Sequence, residues 1–366
     1  MLQPFLSHFL KGYIFMKETP KYNSDFPKTR YQGSKYKLRT WIFDILSKLE
    51  FNSVLDAFSG TSSISHLLKD MGKEVHSNDI LPFNYHISKA LIENSKTTIS
   101  DIDFKKILIK NNNIKYETFI EDTFSDIYYL DHENQWLDII VQNIHNLQDE
   151  YKKSMFFWAL FQSCISKRPY NLFHRKNLHI RTKEVERSFG NKTTWDRPFE
   201  EHFYKFVQEI NKAIIDNGKD NTAHCSDVQN LEINVDLVYI DPPYIPKKGS
   251  LTSYGSFYHF LTGLVEYNSW NLNIDHTSKH KKLKTSYSIW EDKKNIRNAF
   301  ENMIEKYKDS IIVISYRDDG IPSIDEIKSI LEKNGQTVKI ESINYQYVFS
   351  KNKNLKEVIL IGTPNI

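Results

Sequence analysis

Apolar positions along this chain follow two periods, and the two take turns. Val54, Leu55, Ala57 and Phe58 form a short run of the kind a buried strand needs, as do Val75 to Asn78, Leu237 to Ile240 and Ile311 to Ser315. Between them, residues 38–49, 62–71 and 83–93 repeat apolar side chains at helical spacing, as do 289–307 and 324–331. Two late strands are expected near 338–340 and 357–361. Strand and helix in alternation predict an α/β fold, a doubly wound and mostly parallel sheet whose ligands gather at the C-terminal ends of its strands.

The alternation stops at about residue 96 and resumes near 221. The intervening stretch reads as helical and irregular segments rich in rings, so the expected division is an N-terminal extension at 1–20, a first core part at 21–95, an insert at 96–220 and a second core part at 221–366. Inside the insert, basic side chains interleave with aromatic ones: Lys167, Arg168, Tyr170, Phe173, His174, Arg175, Lys176, His179, Arg181, Lys183, Arg187, Lys192, Trp195 and Arg197. Such a surface suits phosphates and stacked bases, although an isolated charge run is more often a solvated face. The expected DNA contacts are Arg168, Arg175, Lys176, Arg181, Arg187 and Lys192, joined by Lys281 and Lys282 from a second basic stretch.

Composition changes this picture little. The 49 basic and 46 acidic residues leave a net charge of only +3, so any polyanion must be met locally. Two cysteines, Cys164 and Cys225, exclude a disulfide framework and a four-cysteine zinc site, and the expected reading of both is a buried structural thiol. No stretch is long and apolar enough to span a membrane, and residues 1–16 lack the basic lead and cleavage site of a signal peptide, which points to a cytoplasmic protein. The polar run after Met16 raises the expectation of a native start there. The 13 histidines show no metal-ligand spacing, so no metal is expected.

Two segments carry chemistry. The run Leu237 to Ile240 ends in Asp241, Pro242, Pro243 and Tyr244. Proline fixes its own φ and offers no N–H, so the carbonyls here are preset and free to accept. A planar exocyclic amine has two donors: the Asp241 carboxylate can take one and the Pro242 carbonyl the other, with Tyr244 stacked on the ring that bears it. Upstream, Asp56, Ala57 and Phe58 lead into Ser59, Gly60, Thr61, Ser62 and Ser63, a strand, a small-residue turn and a helix suited to a nucleotide-like ligand. Gly60 permits close backbone approach, Asp56 is placed to meet a cationic or hydroxyl-bearing ligand, and Asp79 ends the next strand where a ribose-holding carboxylate usually sits. Read singly, Asp79 is more often a helix cap or turn residue. A dinucleotide site would need more glycines than this turn has, and no phosphate loop occurs.

Tyr31 to Leu38 (YQGSKYKL), the turn from Asp56 to Gly60 and the tetrapeptide from Asp241 to Tyr244, in that order, resemble the D12 class of adenine-specific DNA methyltransferases, the group that includes the Dam-type enzymes. The resemblance implies a seven-stranded methyltransferase sheet whose last strand enters antiparallel, with an inserted DNA-recognition domain. It implies S-adenosylmethionine as cofactor, double-stranded DNA as partner, a flipped-out adenine whose N6 is methylated, and a restriction-modification setting with a cognate endonuclease. Tyr31 and Lys35 would lie by the methionine part of the cofactor, Phe58 and Gly60 would line its pocket, Asp79 would hold the ribose, and Asp227 with Val228 would meet the adenine. One departure is Ser62, where many relatives carry a second glycine.

Rival readings stay open at the level of sequence. An N4-cytosine methyltransferase faces the same two donors, a catalytically inactive relative would bind DNA alone, and an RNA or protein amine could be the acceptor. A cytosine C5 enzyme is excluded, because no Pro-Cys pair occurs.

Overall fold

The computed structural model describes residues 26–184, 192–247, 253–284, 287–345 and 355–365. Seven strands form one sheet: β1 (Ser53–Asp56), β2 (Glu74–Asn78), β3 (Thr222–His224), β4 (Leu237–Ile240), β5 (Ile311–Arg317), β6 (Gln336–Asn344) and β7 (Lys356–Pro364). Their order is β3-β2-β1-β4-β5-β7-β6. Neighbours from β3 to β5 pair in parallel, whereas β7 runs antiparallel to both β5 and β6. The chain therefore leaves β1 in one direction and returns at β4 on its other side. The crevice beyond β1 and β4 is where an open sheet of this kind receives its ligands.

Alternation along β4 sends its side chains to two cores. Leu237 and Tyr239 join a large cluster that also takes in the helices Arg39–Leu46, Ser63–Asp70, Glu150–Ser166 and Phe199–Lys212. Val238 and Ile240 join a second cluster with the helices Ile296–Lys306 and Ile324–Lys333. Helices thus cover both faces of the strands, which is why β4 is apolar throughout. The helices Asp101–Leu108, Phe119–Phe124 and Asp131–His145 also contribute to the first of these cores.

Several expectations need adjustment. The helix expected over 289–307 breaks into a short turn at Ile289–Glu291 and the helix Ile296–Lys306, with a tight turn between them in which Asp292 Oδ1 accepts from the Lys294 N–H at 2.8 Å. The three-residue β3, just before Cys225, has no fully buried position and so carries little apolar signal. Both late strands are nine residues long, well beyond the expected spans. Cys164 is buried as expected, but Cys225 is exposed. Residues 1–25, with the expected extension and Met16, lie outside the described residues. Among the described residues, no helix is long and apolar enough to cross a membrane.

Candidate active site

A cavity of about 1310 Å³ opens beyond the C-terminal ends of β1, β2 and β4. Its volume exceeds the roughly 300–1,000 Å³ of a single small-molecule site, so it has room for two ligands side by side. All of Asp241, Pro242, Tyr244, Tyr31, Lys35, Asp56, Phe58, Gly60, Asp79, Asp227 and Val228 line it. Eleven residues from five separate segments of sequence therefore meet around one space.

The sheet explains the meeting. In the β1–β4 register Asp56 lies beside Tyr239, and the Ala57 N–H donates to the Tyr239 carbonyl at 3.0 Å, so Asp241 emerges next to the small-residue turn. That turn is tied to β2 as well: Ser59 N–H donates to the Asn78 carbonyl at 2.9 Å, and Gly60 N–H donates to Asp79 Oδ2 at 2.9 Å. Gly60 has φ +50°, and a Cβ there would meet nothing nearer than Tyr31 Cε1 at 4.0 Å. Left-handed backbone, not crowding, is what favours glycine at that position. Ser62 also has a left-handed φ of +57°, which accounts for glycine being acceptable there. Its buried hydroxyl lies 2.9 Å from that of Ser88, an interaction a glycine would forfeit.

Asp79 sits both in a turn and on the cavity wall. Oδ1 accepts from the Leu81 N–H at 2.9 Å, a turn interaction, while the carboxylate lines the cavity. Burial raises its pKa, and the Leu81 and Gly60 N–H groups pull it back. Asp56 is more deeply placed. Its Oδ2 accepts from Ser65 Oγ at 2.5 Å, whereas Oδ1 is buried with no hydrogen-bond partner among the described residues. Burial pushes this carboxyl up to about 7, and the charge of Asp241 adds to the rise against the Ser65 hydroxyl.

Tyr31 is held by rings. It stacks on Tyr258 at 4.4 Å and 11°, and on Tyr254 at 5.7 Å and 5°. Phe58 packs edge-on against Trp290 at 4.8 Å, and Asp227 caps the short turn Val228–Asn230 by accepting from Gln229 N–H at 3.1 Å.

The tetrapeptide is more engaged than its sequence suggests. Asp241 Oδ1 accepts from Lys35 Nζ at 2.8 Å and from the Tyr244 hydroxyl at 2.7 Å. The same lysine also donates to the Tyr244 oxygen and stands over its ring, 4.7 Å from the centroid. Tyr316 packs against Tyr244 in a T-shaped arrangement, ring centres 5.3 Å apart. Lys35 is only 7 % exposed, and burial works against its charge, but Asp241 and Glu357 outweigh that and hold the ammonium above the usual lysine range. Its ion pairs run to Asp241 and to Glu357, and it lines the same cavity as the Gly60 turn. Burial raises the Asp241 pKa, and Lys35 opposes the rise.

Residues 31–330 match the family of D12 class N6 adenine-specific DNA methyltransferases. The chain belongs to that family. It is also 30% identical over 342 residues to the Type II methyltransferase M2.HphI of Haemophilus parahaemolyticus, covering 91% of this chain and 95% of that one. The modification methylase StsI of Streptococcus sanguinis is 28% identical, and the Type II methyltransferase M.FokI of Planomicrobium okeanokoites is 26% identical. This chain spans about half the length of those two relatives. It is accordingly an enzyme that methylates DNA.

In this D12 methyltransferase the basic residues of the middle segment divide into two sets. Arg168 and Arg181 were expected on the DNA face and are instead inside the protein, 1 % and 5 % exposed. The Arg168 guanidinium donates to the carbonyls of Arg175 at 2.7 Å, Leu172 at 3.2 Å, Lys176 at 3.3 Å and Tyr128 at 3.4 Å. Arg181 makes a forked pair with Glu133, both bonds 2.8 Å. A buried guanidinium needs such partners, and both are structural here. Arg175, Lys176 and Lys192 are exposed, with Lys176 3.5 Å from Asp126 and Lys192 3.1 Å from Asp196. Lys281 and Lys282 are half-buried, and Arg187 lies outside the described residues.

Sequence reasoning missed Glu357. It begins the apolar run of β7, is fully buried, and accepts from the Tyr244 hydroxyl at 3.0 Å and from Ser315 Oγ at 2.6 Å. The available signal was an acid heading a strand whose next four residues are all apolar.

Proposed function

We propose that this D12 methyltransferase uses S-adenosylmethionine to methylate the N6 amine of an adenine flipped out of double-stranded DNA, with Asp241 and the Pro242 carbonyl as the grip on that amine. One observation supports this most: the tetrapeptide and the Gly60 turn line a single cavity large enough for a cofactor and a base.

The residues suit the cofactor. Asp56 Oδ1 is a buried carboxylate oxygen with no partner among the described residues, matched to a cationic group. Gly60 leaves open space above its backbone, Asp79 keeps lone pairs for a diol, and Phe58 and Val228 offer apolar walls. Tyr31, Asp56, Phe58, Gly60, Asp79, Asp227 and Val228 would hold it. When bound, S-adenosylmethionine supplies a methyl group on a positively charged sulfur.

The chain supplies orientation and charge. Asp241 accepts one amine N–H and Pro242 the other, which turns the nitrogen lone pair toward the incoming methyl group. Tyr244 presents its ring beside the base, and Asp241 stabilises the positive charge growing on nitrogen and receives the proton that leaves it. Taking the base out of the duplex costs on the order of a few kcal/mol, recovered in part by stacking.

Residues 96–220 would form the target-recognition part, with Arg175, Lys176 and Lys192 on phosphates and Lys281 and Lys282 nearby. A cytoplasmic enzyme of a restriction-modification pair, working with a companion endonuclease, fits this reading and the names of its relatives. The test is chemical: incubate the protein with unmethylated DNA and S-adenosylmethionine carrying a labelled methyl group, then digest to nucleosides. The label should run with N6-methyl-2′-deoxyadenosine; label in N4-methyl-2′-deoxycytidine, or none at all, would refute the proposal.

A further inference from the structure

Two carboxylates share one pair of donors at the heart of this site. Asp241 Oδ1 takes Lys35 Nζ at 2.8 Å and the Tyr244 hydroxyl at 2.7 Å, while Glu357 Oε1 stands 3.3 Å from the same ammonium and 3.0 Å from the same hydroxyl. Glu357 comes from β7, far along the chain from the tetrapeptide, and is 0 % exposed. Ser315 on the adjacent β5 fixes it by donating at 2.6 Å to that same Oε1, a diagonal reach across the two strands, since the register partner of Glu357 is Arg317. Burying a second carboxylate beside the first is unfavourable by itself, so its presence calls for a role that an apolar side chain would not fill.

The arrangement suggests that role. Asp241 Oδ1 already serves two donors, and a carboxylate that turns to meet an arriving amine needs another acceptor to take them. Displacing either one would strand a buried donor, at a cost of about 1–3 kcal/mol or more for a charged group. Glu357 Oε1 is already within reach of both, so they can turn to it with only small movements. Charge points the same way. Two acidic side chains flank one ammonium here, a balance of groups that favours a nitrogen that becomes positive in the transition state.

We infer that Glu357 is a positioning residue for methyl transfer, the alternative acceptor that takes over Lys35 and Tyr244 when the target amine engages Asp241. The inference rests on the reading of Asp241 as the amine-binding group. Glu357 acts through Lys35 and Tyr244, without touching the substrate, and Ser315 keeps it in place.

The variant Glu357→Gln preserves shape and removes the charge. Single-turnover methylation of unmethylated DNA should slow by about tenfold or more, while the dissociation constant for S-adenosylhomocysteine stays within about twofold of the parent value. Combining it with Tyr244→Phe should slow the rate less than the product of the two single effects, because both weaken the one Tyr244–Glu357 hydrogen bond, the first by removing the acceptor's charge and the second by removing the donor. An unchanged rate in Glu357→Gln, or a loss confined to cofactor affinity, would overturn the inference. Should Glu357→Gln fail to fold, Ser315→Ala serves in its place: a severalfold slower rate at full cofactor affinity supports the role, and the parent rate contradicts it. Asp241→Ala is measured alongside. If that variant methylates normally, the reading of the site falls first and this inference with it.

Discussion

Asp56 shows what burying a carboxyl does to its titration. Its carboxyl sits at about 7 because burial penalises the charge, against an ordinary value of 3.8, and the neighbouring Asp241 adds to that while the Ser65 hydroxyl pulls back. Between those two values the folded protein holds a proton that the unfolded chain has released. Stability must therefore fall as pH rises from about 4 to about 7 and then level off, since the native state binds more protons throughout that window. Replacing Asp56 with Asn should flatten this part of the profile by a few kcal/mol at most, which denaturant melts without cofactor at several pH values would measure. The same substitution should weaken S-adenosylmethionine binding, because the buried oxygen without a partner would no longer be charged. A pH profile unaltered by the change would mean that Asp56 titrates normally.

Elements decide where these side chains meet. The helix Tyr254–Val265 presents Tyr254 and Tyr258 to Tyr31, and its Gly263 lies so close to the next segment that a Cβ would fall 1.9 Å from Trp270 Cε2. Gly263→Ala should thus cost about 1–3 kcal/mol of stability, read as a lower thermal midpoint, since the buried indole cannot simply swing away. A neutral result would show that the indole has room to move. How much of this was legible beforehand depended on range. The strands around Leu55, Val238 and Val313 and the turns at Gly60 and Asp241 are written in short local patterns, and were readable from residue types alone. The break before Ile296 hung on a local turn held by Asp292, and β3 offered no buried run. Charge type could not say that Arg168 and Arg181 turn inward, because that depends on carbonyls and on Glu133 brought in from other segments. Glu357 was hidden for the same reason: its partners lie near the two ends of the chain and in its middle.

At the scale of the whole molecule, a net charge of +3 makes DNA binding a matter of distribution. With Arg168 and Arg181 inside, the exposed cations of the middle segment include Arg175, Lys176 and Lys192. The Arg168 clamp on the carbonyls of Arg175 and Lys176 sets where the first two stand. Neutralising Arg175 and Lys176 together should weaken binding to any DNA and reduce the salt dependence of log K by up to about 2, one for each phosphate no longer neutralised. An unchanged slope would move the DNA face elsewhere.

The most direct test of the central claim is Asp241→Ala, assayed for methyl transfer and, by calorimetry, for cofactor affinity. Glu357 still pairs with Lys35 in that variant, so the ammonium is not left alone and the fold should persist. The account predicts loss of N6-methyladenine formation with S-adenosylmethionine bound within about threefold of the parent affinity. Methylation at the parent rate would contradict it.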